Sequence, residues 1–214
     1  MMQHAPLFIV LLPVSAALLC MLFSRIQKNL GSWIVIGSIA AAFMSAVTVL
    51  QQVIADGGKP IHYWMGNWQP PLGIEFVIDP ISGVLAVLIT FISLLGSIYS
   101  LPFVKEEGWL HIGGYYTLYG LMTVGMCGMV ITGDVFNLYV FLEVMSLSGY
   151  GLIALGGKKS MLAAFRYLLI GTIGASLYLL GVGYMYALTG TLNMADMAVR
   201  AAQFLDYPIF ALAV

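Results

Sequence analysis

Runs of about twenty mostly apolar residues recur along this chain, and they constrain it more than any other feature. A membrane-spanning helix needs that length, because the hydrocarbon core is about 30 Å thick and each helical residue rises about 1.5 Å. Read with that ruler, the sequence predicts helices over 5–23, 30–54, 80–104, 112–133, 135–156 and 161–189. A seventh apolar run starts at Pro208 and reaches only Val214, so the chain reads as a fragment carrying six complete helices and the start of another. Composition agrees, with 61% hydrophobic and 8% charged residues against about 25% charged in a soluble domain. The fold class is therefore all-α, a polytopic transmembrane bundle.

The boundaries carry their own chemistry. Asp79-Pro80 reads as helix cap and first helical residue, Asp134 and Ser160 as N-caps, and Gly156-Gly157 as a stop. The first run has neither a basic leader nor a small-residue cleavage site, so it reads as a retained helix. Residues 55–79, with Trp64, Trp68, Pro70 and Pro71, read as an exterior loop whose aromatics sit at the interface. Residues 191–207 place Leu192, Ala195, Val199 and Ala202 at helical spacing, which fits a short surface helix as well as a loop. Glycines crowd the fourth to sixth runs and, with Gly171-x-x-x-Ala175, point to close helix packing there.

Several classes of function are excluded. Net charge is -1 and no basic stripe is present for nucleic acid. Cys20 and Cys127 lie in apolar runs without CxxC spacing and read as small core residues. His4, His62 and His111 fall at helix ends or in loops, so no histidine pair is placed for a haem. The sequence shows no hydrolytic triad, zinc signature, dinucleotide fingerprint or phosphate loop, and no cofactor or metal is expected. An intramembrane aspartyl protease would need a second aspartate at membrane depth beside Asp134, and none is present.

Glu143 is the exception inside the apolar runs. It lies nine positions into the fifth helix, near the bilayer midplane, where an ionised side chain costs about 2.5 to 3.5 kcal/mol on translocon scales. Tyr139, Ser146 and Tyr150, at i-4, i+3 and i+7, place three hydroxyls on its face, suited to holding water in line. Desolvation raises an acid's proton affinity and a nearby cation lowers it, so an acid with a movable cationic partner can load and release a proton. Arg166, five residues into the sixth run, either biases that acid through water or snorkels to the interface. Asp134 and Asn137 form either an outer half of the path or a structural helix cap. A protonated Glu143 in a single structural hydrogen bond, within an inert scaffold, is the plainer alternative.

The run Thr132-Gly-Asp-Val-Phe-Asn-Leu-Tyr-Val-Phe-Leu-Glu143-Val-Met, followed by Ser148-Gly-Tyr150, resembles the fifth helix of the proton-translocating antiporter-like subunits. That superfamily includes ion-pumping subunits of respiratory complex I, membrane-bound hydrogenases and multisubunit sodium/proton antiporters. Trp64-x-x-x-Trp68-x-Pro-Pro-x-Gly-Ile74, Ala164-Phe-Arg166-Tyr-Leu and Tyr186-Ala-Leu-Thr-Gly-Thr-Leu-Asn193-Met-Ala-Asp196 look most like the antiporter D-type subunit, N-terminal portion only. The resemblance implies part of a larger inverted-repeat transporter, with 1–111 an N-terminal three-helix segment and 112–214 the start of the proton-conducting repeat. It implies Glu143 as the gating acid, Arg166 as the basic group at the start of helix six, and a lysine partner on a seventh helix that lies beyond this chain. Function then reads as proton conduction within a cation/proton antiporter. The alternative is an ion-pumping subunit of an NADH-quinone oxidoreductase or hydrogenase whose redox chemistry belongs to partner subunits. Implied partners are other membrane subunits, protons, and a cation such as sodium.

All eight basic residues bear on orientation. With the N-terminus outside, Arg25, Lys28, Lys105, Lys158, Lys159 and Arg166 fall on the cytoplasmic side and only Lys59 and Arg200 outside, which predicts a multi-pass protein of the cytoplasmic membrane. A cysteine introduced in 56–79 should accept a membrane-impermeant thiol reagent from outside the cell, and one beside Lys158 only from inside; the reverse labelling pattern would invert the orientation.

Overall fold

The computed structural model describes residues 4–27, 29–71, 73–104 and 109–204. Lys28, Lys105 and the seventh apolar run from Pro208 lie outside the described residues. Among the described residues six helices are long and apolar enough to cross a membrane. The helices in order are α1 (Ala5–Ile26), α2 (Leu30–Ala55), α3 (Pro80–Tyr99), the one-turn α4 (Leu101–Val104), α5 (Trp109–Ile131), α6 (Val135–Ala154), α7 (Lys158–Thr189) and α8 (Met194–Ala201). Between α2 and α3 the chain forms a ribbon of β1 (Ile61–Trp64) and β2 (Glu75–Ile78), antiparallel, with Ile61 opposite Ile78 and Trp64 opposite Glu75.

The ribbon sits where the sequence reading places only an exterior loop. Four-residue strands are too short to show alternation against a background so rich in apolar residues. The ribbon's inner residues, Phe76 and Ile78, are buried and join Ile9, Val49, Val53 and Ile131 in one core at that end of the bundle. A second core at the other end gathers Cys20, Val35, Ile39, Ile112 and Tyr116. The ribbon therefore closes one end of the bundle as a packed element.

Caps explain several boundaries. Asp79 Oδ1 accepts from Ser82 N at 2.7 Å while Ser82 Oγ accepts from Asp79 N at 2.8 Å, a reciprocal cap that starts α3 with Pro80 in its first turn. Those hydrogen bonds, the Ser82 backbone one first, hold the Asp79 carboxyl below its ordinary range. α7 does not start at Ser160: Gly157 is its N-cap and Lys158 its first residue, which leaves Ser160 within the first turn. α7 ends at Gly190, whose φ of +68° is the left-handed geometry that favours glycine at a helix end. Within 191–207 the surface helix forms as α8, started by Asn193 Oδ1 accepting from Asp196 N at 3.1 Å.

His4 before α1, the ribbon, the α5–α6 turn and the α7–α8 turn all meet at one end of the bundle. His4 Nδ1 is hydrogen-bonded to Tyr63 Oη at 3.0 Å, Phe76 bridges to Thr132, and Asp134 bridges to Asn193. Helix packing runs α3–α2–α1–α5–α6–α7, with α5 returning to touch α3. The glycine-rich helices pack in sequence, α5 on α6 and α6 on α7, and only some of their glycines are at contacts: Gly125 and Gly128 face α6 and Gly113 and Gly120 face α1, whereas Gly114, Gly149, Gly174 and Gly183 have nothing nearby. A Cβ on Gly128 would fall inside the Phe141 ring. Gly128→Leu should therefore force α5 and α6 apart and lower stability by about 1 to 3 kcal/mol. Gly114→Ala, at a position with nothing nearby, should be tolerated; thermal melting of the detergent-solubilised protein compares the two.

Candidate functional site

α6 has twenty residues and so spans about 30 Å, the thickness of the hydrocarbon core. Its start is set by Asp134, whose Oδ1 accepts from Asn137 N at 2.7 Å, while Asn137 Nδ2 donates to Thr132 Oγ1 at 3.0 Å. Both residues are buried and committed to this cap. Glu143 then lies about 12 Å along the helix from its first residue. Its side chain is half-buried, and among the described residues its carboxyl has no hydrogen bond or ion pair.

Two of the three hydroxyl residues of that stripe, Tyr139 and Tyr150, meet α7. Tyr139 stacks on Tyr178 with ring centroids 6.4 Å apart and planes 6° apart, and Tyr150 meets Tyr167 edge-on at 4.7 Å. Ser146 lines a cavity of about 310 Å³ with Met122 and Met126 of α5, Met145 and Gly149 of α6 and Tyr167 of α7. Tyr178 Oη donates to Val135 O at 3.1 Å, joining α7 to the first residue of α6. Gly171 leaves the space that the Tyr150 hydroxyl occupies. The Gly171-x-x-x-Ala175 face thus packs on α6 through one aromatic residue, and Ala175 is buried.

Arg166 is placed differently. The earlier start of α7 puts it eight residues, about 12 Å, inside the helix. Its side chain is exposed, and among the described residues it forms no ion pair. α7 runs for 32 residues, about 48 Å, which exceeds the hydrocarbon thickness. Glu143, Tyr139, Ser146 and Tyr150 therefore share one stripe facing α7, Arg166 stands apart from it, and Asp134 and Asn137 belong to the cap. Among the described residues no group of three His, Cys, Asp or Glu is placed to hold a metal ion.

Sequence reasoning missed Glu75. This residue of β2 is buried, and its carboxylate accepts from Asn193 Nδ2 at 2.6 Å and Trp64 Nε1 at 3.2 Å, with His62 Nδ1 at 3.4 Å. The available signal was an acid inside the run Ile74-Glu75-Phe76-Val77-Ile78, directly after the tryptophan-proline stretch.

Six long apolar helices among the described residues make this a polytopic membrane protein. Residues 132–213 match the family described as "NADH:quinone oxidoreductase/Mrp antiporter, TM", and the resemblance to antiporter-like subunits extends across the chain. The chain is 43% identical over 213 residues to NADH-quinone oxidoreductase subunit N of Desulforudis audaxviator, covering 100% of this chain and 42% of that protein. It is 31% identical over 206 residues to the D-type Na(+)/H(+) antiporter subunit of Alkalihalophilus pseudofirmus, covering 94% and 40% respectively. A chain of the membrane-bound sulfane sulfur reductase, an archaeal respiratory membrane complex, superposes with a TM-score of 0.90 at 31% identity, over 99% of this chain and 42% of that one. The chain thus spans about two fifths of the length of the relatives it matches.

Burial raises the Asp134 carboxyl above its ordinary value of 3.8. Its ionised form is therefore disfavoured by folding, so its contribution is most favourable below 3.8 and declines as pH rises through the raised value. Asp134→Asn keeps the capping oxygen and removes the charge, and should leave stability at pH 7 equal or higher with a flatter pH dependence. Asp134→Ala should lose about 1 kcal/mol. Melting temperatures between about pH 4 and 7 separate the two.

Proposed function

We propose that this chain forms part of a proton-conducting subunit of a multisubunit cation/proton antiporter in the cytoplasmic membrane, with Glu143 as the proton relay. The observation that carries the reading is the half-buried carboxyl near mid-span on a hydroxyl stripe, without a bond to any described residue. A polar group held at that depth without a structural bond is costly unless it has a task. In this reading Tyr139, Ser146 and Tyr150 order water along α6. Similarity to a Na(+)/H(+) antiporter protein supports coupling to sodium.

In this reading residues 112–214 begin the conducting repeat and 1–111 support it, with the ribbon end outside the cell. Asp134 and Asn137 position the outer end of the path through the cap they form. Arg166 tunes proton release from the cytoplasmic interface through water. The identity of 43% to an NADH-quinone oxidoreductase subunit favours a second reading, in which the same relay works in a respiratory complex and redox chemistry sits on partner subunits.

Glu143→Gln preserves shape and removes the exchangeable proton, so the assembly should form at normal subunit content while proton movement fails. Glu143→Asp should retain partial activity, and Arg166→Lys should be milder than Arg166→Ala. The measurement is sodium-driven or redox-driven proton movement in vesicles carrying the complete assembly, the driving force that works deciding between the two readings. Wild-type pumping by a normally assembled Glu143→Gln would replace the relay with a scaffold.

A further inference from the structure

Two turns decide where α6 and α7 stand at the ribbon end. The 132–134 turn starts the helix that carries Glu143, and the 190–193 turn ends the helix that its hydroxyl stripe faces. The two are stitched directly: Val135 N donates to Leu192 O at 3.0 Å and Met194 N to Gly133 O at 2.9 Å. Glu75 grips both from outside. Its main-chain oxygen accepts from Gly133 N at 3.0 Å, and its Oε1 accepts from Asn193 Nδ2 at 2.6 Å. Its second oxygen is held by Trp64 and His62 of β1. Gly133 permits the approach, because a Cβ there would press on Glu75 and Val77.

A buried carboxylate is a costly choice for a joint that apolar packing could make, and what it adds is a defined geometry. Its bonds tie the 190–193 turn on one oxygen and β1 on the other, and each would be lost if either segment shifted by an ångström or two. α6 is continuous from Val135 to Glu143, so displacement at the turn moves the acid along or around the helix axis relative to Tyr167 and Tyr178.

We propose that Glu75 is a positioning residue for the proton path: its main-chain oxygen holds the turn before α6, its carboxylate ties the turn after α7 to β1, and the two together set the register of Glu143 against the α7 face. The proposal rests on the relay role of Glu143 and assigns no proton transfer to Glu75. The bond to Asn193 can be reversed. In Glu75→Gln/Asn193→Asp the amide donates and the carboxylate accepts, while the Gln oxygen remains for Trp64 and the new Asp can still cap α8.

The test uses the full-length protein in its complete assembly and reads two quantities. The first is hydrogen exchange at the Gly133, Val135 and Met194 amides, and the second is proton movement in vesicles normalised to subunit content. Glu75→Ala should speed exchange at these amides by roughly tenfold or more and cut transport severalfold; Glu75→Gln should fall between; the double variant should restore at least half of both. If Glu75→Ala fails to assemble, Glu75→Gln against the double variant carries the same comparison. Unchanged exchange in Glu75→Ala overturns the carboxylate tie. Lost protection with wild-type transport overturns the positioning role, as does a double variant that regains protection but not transport. Wild-type transport in Glu143→Gln instead overturns the relay reading and the path Glu75 would position, an outcome separate from the others because the exchange arm does not depend on Glu143.

Discussion

In a hydrocarbon environment every polar group needs a partner inside the protein, and that requirement organises this bundle. The helices satisfy their own backbones, and most side-chain hydroxyls donate back to carbonyls of their own helix, while a few donate to the carbonyls of neighbouring helices. Thr117 reaches Ala17 O at 3.1 Å, Tyr119 reaches Ser93 O at 3.0 Å and Tyr116 reaches Ser97 O at 3.1 Å. These bonds make α5 the centre of the N-terminal bundle, tied to α1 on one side and α3 on the other. Each contributes modestly, about 0.6 kcal/mol on average between membrane helices. Their collective effect is to fix helix rotation, because a tyrosine hydroxyl reaches a given carbonyl in only one orientation. Against this background an acid left without a partner among the described residues stands out, and Glu143 is read as functional for that reason.

The same requirement explains what was legible from the sequence. Helix positions follow from apolar length because lipid forbids exposed backbone, and the caps at Asp79 and Asp134 are local, formed with residues three positions on. The hydroxyl stripe beside Glu143 follows from helical spacing alone. What spacing could not supply was the partner surface: Tyr139 with Tyr178 and Tyr150 with Tyr167 join residues on separate helices, a matter of packing. Glu75 escaped for a similar reason, since its meaning lies in Asn193, which is 118 residues away. Serine caps are common, which favours Ser160 over Gly157 on sequence grounds, yet the glycine's φ of +98° makes the turn and lets the helix start at Lys158. The ribbon was hidden because eight apolar-rich residues show no usable period.

Packing is uneven along the chain. Within the spanning windows the buried share is 44% in α5 but 17% in α6 and 11% in α7. α6 thus lies between one helix that is firmly knitted and another that offers most of its surface elsewhere, and its Glu143 stripe faces the second. α7 presents Phe165, Ile170, Ile173 and Leu177 outward, an apolar surface suited to lipid or to further protein. A relay acid benefits from such a setting. It needs a fixed reference on one side, so that its distance to ordered water is defined, and freedom on the other, so that its environment can change between proton loading and release.

The ribbon end supplies the fixed reference where α6 and α7 would otherwise be least constrained. Polar groups there are buried but not unpaired: Thr132, Asp134, Asn137, Thr189, Thr191 and Asn193 all take part in hydrogen bonds that cap helices or join turns. Arg200 adds to the set, its Nη1 donating to Thr189 O at 3.0 Å at the carbonyl end of α7, where a cation also complements the helix dipole. A dense network at one end of two helices concentrates the polar constraint on α6 and α7 at the ribbon end, about 12 Å along α6 from Glu143, and leaves the rest of their shared length to aromatic and apolar packing.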